Sequence, residues 1–337
     1  MPQLDAATVA QRLGLGDDHR EWLKELEAAG ASVPPPTLPR SDDLALLFER
    51  LGISRVDAAD LTKAWPSPAR TPEVWWLLER CHRCIVADLG SIEDPAPWPS
   101  LPKSLGMLGR FFYVYVFLAA VPDVRRWHWQ HHITDEISWA TLADLGRHLA
   151  VNRRIYGDGG LDRPFWLRAH FRGALYQLGR LQFCRSRIPS DPAMLEDLGV
   201  PFRHGDLALD VHIPEHGPLT PAECDRSLRW ACDFFPVHFS AERYQVAICT
   251  SWLLDDQLAS YLEPDSNIIR FQRRFSLLPD GGDGDRDMLM FVFRRAPASL
   301  SAASLNELSQ RTSLERAVVA HLEGGHHWKV RTGWLEL

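Results

Sequence analysis

Asp210 and His212 stand two residues apart in the otherwise apolar run LALDVHI. Strand alternation sends Ala208, Asp210 and His212 to one face and Leu207, Leu209, Val211 and Ile213 to the other. Two ionisable side chains on one face of such a strand are costly unless solvated or used. An imidazole with an ordinary pKa of about 6.5 can take a proton from an ammonium, directly or through water, and an adjacent aspartate can orient the ring. A second group, Cys249-Thr250-Ser251-Trp252, closes the run YQVAIC. Ser251 can donate a proton or bond a substrate. Cys249 is a nucleophile only if its thiol is acidified, and no His or Arg adjoins it, so a buried small residue is the expectation. Tyr261 carries a phenol with an ordinary pKa of about 10, suited to returning a proton to a leaving group. Between the two groups, Pro214-Glu215-His216-Gly217-Pro218-Leu219 leads into a helix opened by Thr220, Pro221 and Glu223, whose first turn offers N–H groups to an anion.

Other chemistry-bearing clusters are weaker. Cys81-His82-Arg83-Cys84 resembles half a zinc or redox motif, but it lies in a helical run with no second cysteine pair at zinc spacing. Trp127-His128-Trp129-Gln130-His131-His132 can align His128 with His131 or His132, yet no carboxylate or cysteine sits at a partner spacing, and a hydrogen-bonding cluster is expected. His326-His327 is weaker still, and no metal is expected. Arg125, Arg126, Arg147, Arg153 and Arg154 suit a phosphopantetheine or an acidic carrier protein, or a solvated helix face. Thirteen tryptophans are scattered over both halves, as core residues would be.

The scaffold for these groups reads as helices first and strands later. Asp5 can cap a short helix, Asp17 to Ala29 carries Trp22, Leu23 and Leu26 at helical spacing, and GASVPPPTLPRS breaks the pattern. Short helices are expected at 42–51 and 58–64, and Thr71-Pro72-Glu73 starts one that runs through Leu89 until SIEDPAPWPSLPKS. Leu105 to Val121 is apolar nearly all round, as in a helix sunk among neighbours. Further helices are expected at 137–156 and 162–172. From Ala174 the period alternates, which predicts strands at 175–188, 207–213, 244–250, 268–278 and 288–294, with helices at 220–235 and 255–262 among them. A helix at 313–322 and a strand at 328–335 end the chain.

A length of 337 residues with 45% apolar content allows one large or two moderate cores. A net charge of -7 without a basic run argues against nucleic acid. The longest apolar run, Phe111 to Val121, falls short of the ~20 residues that cross a bilayer, and the start of the chain lacks the basic and apolar regions of a signal peptide. No membrane and a cytoplasmic location are therefore expected, with the six cysteines as thiols.

The order of elements resembles the core of the GNAT acyltransferase superfamily. The strings WATLADLGRHL, YQLGRLQF, LALDVHIPEHGPLTPAECDRSL, ICTSWLLDDQLASYL and SNIIRFQRRF are similar to those of the bacterial acyltransferase family that joins an N-acyltransferase N-terminal domain to a GNAT-like C-terminal domain. The likeness spans nearly the whole chain. It implies an α+β fold: a helical domain over 1–132, a GNAT-like domain with a mixed, mostly antiparallel sheet over 133–297, and a helix and strand over 298–337 packed on the latter. It also implies transfer of an acyl group from acyl-CoA, or from the phosphopantetheine of an acyl carrier protein, to a small-molecule amine by direct attack in a ternary complex. On this reading 207–213 and 244–250 are the fourth and fifth strands, which splay apart to admit the pantetheine arm. Val211 and Ile213 would pair with that arm, and Gly217, Leu219 and Thr220 would hold the pyrophosphate. His212 would be the base, oriented by Asp210, with Ser251 and Tyr261 as proton donors and Cys249 and Trp252 against the acceptor. The family's usual Gln/Arg-x-x-Gly-x-Gly/Ala signature is missing: only Gly217 remains, and Pro218 and Pro221 remove two donors. That keeps open a carrier-protein donor, and also a second reading in which the chain binds a ligand or partner without catalysis.

Overall fold

Prolines and short polar caps cut the first half of the chain into ten helices among the described residues: α1 (Ala6–Leu13), α2 (Arg20–Ala28), α3 (Ser41–Arg50), α4 (Arg55–Lys63), α5 (Pro72–Ala87), α6 (Gly106–Arg110), α7 (Phe112–Gln130), α8 (Asp135–Leu142), α9 (Asp144–Tyr156) and α10 (Pro164–Phe171). The computed structural model describes residues 4–29, 34–93, 95–162, 164–295 and 305–337. The proline-rich break after α2 falls partly outside them. Asp5 caps α1 through Thr8 N–H at 2.8 Å, as expected, and Pro72 opens α5. The stretch Lys103–Gln130 is long and apolar enough by composition to cross a membrane, but Phe111–Val121 within it is buried in the core, where α7 packs against α5 and α10.

Two compact units result, Met1–Tyr176 and Gln177–Leu337, so the division falls later than 132/133. The reason lies in α8, α9 and α10. Gly146 N–H of α9 donates to Leu51 O at 3.0 Å, and a Cβ there would stand 2.1 Å from Gly52 O. No larger residue fits, so α9 lies directly on the α3–α4 turn. Arg153 of α9 pairs with Asp57 at 2.6 Å and Asp60 at 2.7 Å, and Arg168 of α10 pairs with Asp88 at 3.0 Å. The expected second boundary at 297/298 lies outside the described residues.

The second unit is built on a six-stranded sheet of order β1-β2-β3-β4-β6-β5, from β1 (Leu175–Leu178), β2 (Leu181–Arg187), β3 (Leu207–His212), β4 (Val246–Ser251), β5 (Ser276–Asp283) and β6 (Lys329–Glu336). The order of its helices along the chain is α11 (Pro192–Leu198), α12 (Pro221–His238), α13 (Asn267–Gln272), α14 (Asp285–Phe293) and α15 (Ser313–Glu323). The β2–β3, β4–β6 and β5–β6 pairs are antiparallel. The β3–β4 pair is registered as parallel, and it needs the crossover helix α12. The α+β fold with a mixed, mostly antiparallel sheet is as expected. The C-terminal strand, expected to pack on the domain, is instead inside the sheet between β4 and β5.

Two predicted strands are corrected. The 288–294 segment is helix α14, because Met288, Leu289, Val292 and Phe293 recur at helical spacing and pack on one cluster with Leu258, Val318 and Trp328. The first half of 268–278 is α13, which Ser266 starts by accepting Ile269 N–H at 3.4 Å. The predicted 255–262 helix is a shorter 3₁₀ turn, Asp256–Ser260.

Candidate active site

The β3–β4 ladder registers only Leu209 with Ala247 and Asp210 with Ile248. Each strand continues, but with a different neighbour. β3 stays paired with β2 as far as His212 opposite Gln182, and β4 stays paired with β6 as far as Ser251 opposite Arg331. Registered pairing between the two parallel strands thus spans two residues, and beyond it Val211-His212 and Cys249-Thr250-Ser251, which meet in no further registered pair, are the arms of a fork. Main-chain groups along such a gap can bind an extended ligand much as a sheet edge binds an added strand.

Asp210 and His212 share a face as alternation requires, with His212 Nε2 3.3 Å from Asp210 Oδ2 and side-chain exposures of 18% and 26%. The pair is half-buried, reachable from solvent and oriented. In register, that face carries Thr250 of β4, which is exposed, and Thr332 of β6; their hydroxyls are 3.1 Å apart. Cys249 points the other way and is fully buried, which removes its side chain from any surface an acceptor could reach. Burial, with a smaller contribution from Asp210, drives its thiol pKa well above the ordinary value, so it stays protonated and is no nucleophile. Ser251 Oγ accepts Leu253 N–H at 3.1 Å and so shapes the turn that carries Trp252, while its own proton stays available to donate.

Tyr261 is not joined to the Asp210–His212 pair by any described contact. Its hydroxyl is 3.1 Å from His321 Nδ1, and His321 is buried, its ring tilted against that of Trp328, with Nε2 3.3 Å from His327 O. A carbonyl at Nε2 assigns the proton to that nitrogen and leaves Nδ1 to accept from the phenol.

Beyond β3 the chain turns through Ile213 and Pro214 to Gly217, whose φ of 63° is left-handed. Arg180, buried in the β1–β2 turn, binds this loop from beneath. Its guanidinium donates to Pro214 O, Gly217 O and Pro218 O, each at 3.1 Å. Three carbonyls are thus turned inward. At the end of the loop Leu219 is buried, and Thr220 is the N-cap of α12 but makes no side-chain capping bond, so its hydroxyl does not cover the first-turn amides of Ala222 and Glu223. Pro221 has no N–H to offer. An uncapped helix start above a loop with its carbonyls averted remains a workable anion site, although the glycine signature is absent. Sequence reasoning missed Arg180, Thr332 and the pairing of Thr250 with Thr332. Only the LGR turn could have hinted at the first.

The rival clusters prove structural. Cys81 and Cys84 are buried in α5, where burial pushes the Cys84 thiol up to about 12, and His82 sits 3.0 Å from Asp123. His128 Nδ1 lies 2.7 Å from Ser138 Oγ, and His131 stacks on Trp127. Arg125 pairs with Asp135, Arg126 with Asp123 and Arg147 with Asp144. Among the described residues no group of three or more His, Cys, Asp or Glu is set to hold a metal.

A parallel pair that parts beside a strand-to-helix turn defines the GNAT class of acyltransferase fold. Comparison with family models matches the N-acyltransferase N-terminal domain over residues 42–173 and the GNAT-like C-terminal domain over 175–335. Solved structures agree over the full length. An acyltransferase in complex with decanoyl-CoA and teicoplanin is 43% identical, with a TM-score of 0.89, covering 99% of this chain and 100% of that one. An acyltransferase in complex with CoA and 10C-teicoplanin is 42% identical with a TM-score of 0.89, at the same coverage. A mutant acyltransferase in complex with octanoyl-CoA is 42% identical with a TM-score of 0.88, also at that coverage. Comparison with curated proteins found no match. The chain belongs to the N-acyltransferase family that joins an N-acyltransferase N-terminal domain to a GNAT-like C-terminal domain.

Proposed function

We propose that the chain transfers a medium-length acyl group from acyl-CoA to an amine on a small molecule, by direct attack within a ternary complex. The observation that carries this is the fork, because a ladder that stops after two registered pairs leaves main chain for a pantetheine arm to line. The solved relatives, which hold octanoyl-CoA, decanoyl-CoA or CoA, support the donor, and the two with teicoplanin or its 10C form support a glycopeptide as the kind of acceptor. His212, oriented by Asp210, takes the proton of the attacking ammonium. The amine nitrogen then bonds to the thioester carbonyl, its electron pair moves to oxygen, and collapse of that tetrahedral species expels the thiolate. The nitrogen sheds its second proton as the amide forms and the thiolate takes one up, a transfer that a hydroxyl can relay, with Ser251 and Tyr261 as the candidates. No acyl-enzyme forms.

The test incubates the chain with decanoyl-CoA and a glycopeptide bearing a free amine. Free thiol should appear in step with a product heavier by one decanoyl group. Thioester binding with no thiol release for any amine acceptor would leave the non-catalytic reading standing in its place.

A further inference from the structure

The strand register carries across the fork. Leu209 and Asp210 stand opposite Ala247 and Ile248, and the same offset sets His212 opposite Thr250 where registered pairing has ended. Strand alternation puts both side chains on the face that holds Asp210. Ser251, one residue on, belongs to the other face, the one that takes Cys249. Tyr261 has its contact in His321. Of these three hydroxyls, Thr250 is therefore the one that shares a face with the base and meets it across the gap.

Thr332 sets which way the protons run. It stands opposite Thr250 on β6 and is buried, and among the described residues its hydroxyl has no partner but the Thr250 hydroxyl, at 3.1 Å. A buried O–H calls for an acceptor, so Thr332 donates to Thr250. Thr250 is exposed, and with one of its two lone pairs taken it keeps an O–H and a second lone pair for a substrate. The hydrogen bond it receives also polarises the O–H it can give.

We propose that Thr250 relays to the departing sulfur the proton that acyl transfer leaves on nitrogen, and that Thr332 is a positioning residue that holds Thr250 for this task. The inference rests on the acyl-transfer reading above. Once His212 has taken the first proton and the amine nitrogen has bonded to the carbonyl carbon, nitrogen still has a proton to shed and sulfur has one to gain. The Thr250 oxygen accepts the N–H proton as its own O–H proton passes to sulfur. The C–S bond breaks with its electron pair on sulfur, and the threonine ends as it began. A group that takes and gives in one step needs an open lone pair and a free O–H together, which is what the Thr332 bond leaves to Thr250.

Single-turnover rates of the full chain with decanoyl-CoA and an amine-bearing glycopeptide, alongside the calorimetric Kd for the donor, test this on wild type, Thr250→Val, Thr250→Ser, Thr332→Val and Ser251→Ala. Valine has the shape of threonine and suits a strand, and melting temperatures check the fold of each variant. Thr250→Val should lower the rate about a hundredfold with the donor Kd unchanged, and Thr250→Ser should recover most of that loss. Thr332→Val should cost about fivefold, the worth of one hydrogen bond, in rate and not in Kd. An unchanged rate in Thr250→Val, a loss that Thr250→Ser does not recover, or a larger loss in Ser251→Ala overturns the relay. Wild type that releases no thiol with any amine removes the acyl-transfer reading itself, a result distinct from these.

Discussion

At the scale of single residues, the fork separates groups that sequence alone leaves level. His212 and Asp210 are half-buried and in contact, whereas Cys249 is sealed. His212→Gln should therefore lower kcat by about a hundredfold while the Kd for acyl-CoA stays nearly constant, because a lost general base acts on the reaction and not on donor binding. Single-turnover rates alongside equilibrium titration measure the split, and parallel losses in kcat and affinity would make His212 a binding residue. Cys249→Ala should leave kcat within a few-fold, and intact-protein mass spectra during turnover should show no acyl adduct. The Asp210–His212 pair was legible because alternation along a strand fixes the face of each residue from the sequence. Arg180 was not, since three carbonyls of a loop more than thirty residues away hold it, and no local pattern encodes such a contact.

At the scale of elements, helix starts were the most legible features, because a cap is a local bond: Asp5 to Thr8 N–H and Thr312 with Glu315 are written in adjacent residues. The apolar segments 268–278 and 288–294 were read as strands for their Ile, Phe and Val, although Met288, Leu289, Val292 and Phe293 carry a helical period that their packing favours over β propensity. The fork was expected only through the family resemblance and not from the residues themselves, since ladder length depends on where β2 and β6 lie, and β6 comes from the far end of the chain. The loop that follows the fork depends on Arg180. Arg180→Gln leaves the Pro214, Gly217 and Pro218 carbonyls without their charged donor, which should cost about 2 kcal/mol of stability. The loop should also lose the geometry that aims the start of α12 at an anion. A lower melting temperature joined to a weaker Kd for CoA, with kcat at saturating donor nearly kept, is the expected pattern; an unchanged Kd would detach the loop from donor binding.

At the scale of the whole molecule, the two units should respond differently to acid, and the cause lies in the histidines of the first. Burial lowers the His128 pKa to about 3, helped by Arg125 and His131, and burial lowers that of His82 against the opposing pull of Asp123. An unfolded histidine titrates at about 6.5. As pH falls below that value the unfolded chain takes up a proton that the native His128 refuses, so stability present near neutrality is lost toward pH 3, at about 1 kcal/mol per pH unit for this residue. Asp144 acts in the same direction at lower pH. His148 and His170 hold its carboxyl well below the ordinary range against burial, so its contribution is present above about pH 3.8 and fades below it. Nine of the thirteen tryptophans precede residue 177, so tryptophan fluorescence reports chiefly on the first unit. Its thermal midpoint should fall steadily between pH 7 and 4.5, and His128→Gln, whatever it costs at pH 7, should flatten that slope because the replacement cannot titrate. Equal slopes in the variant and the wild type would show that His128 is not the group responsible.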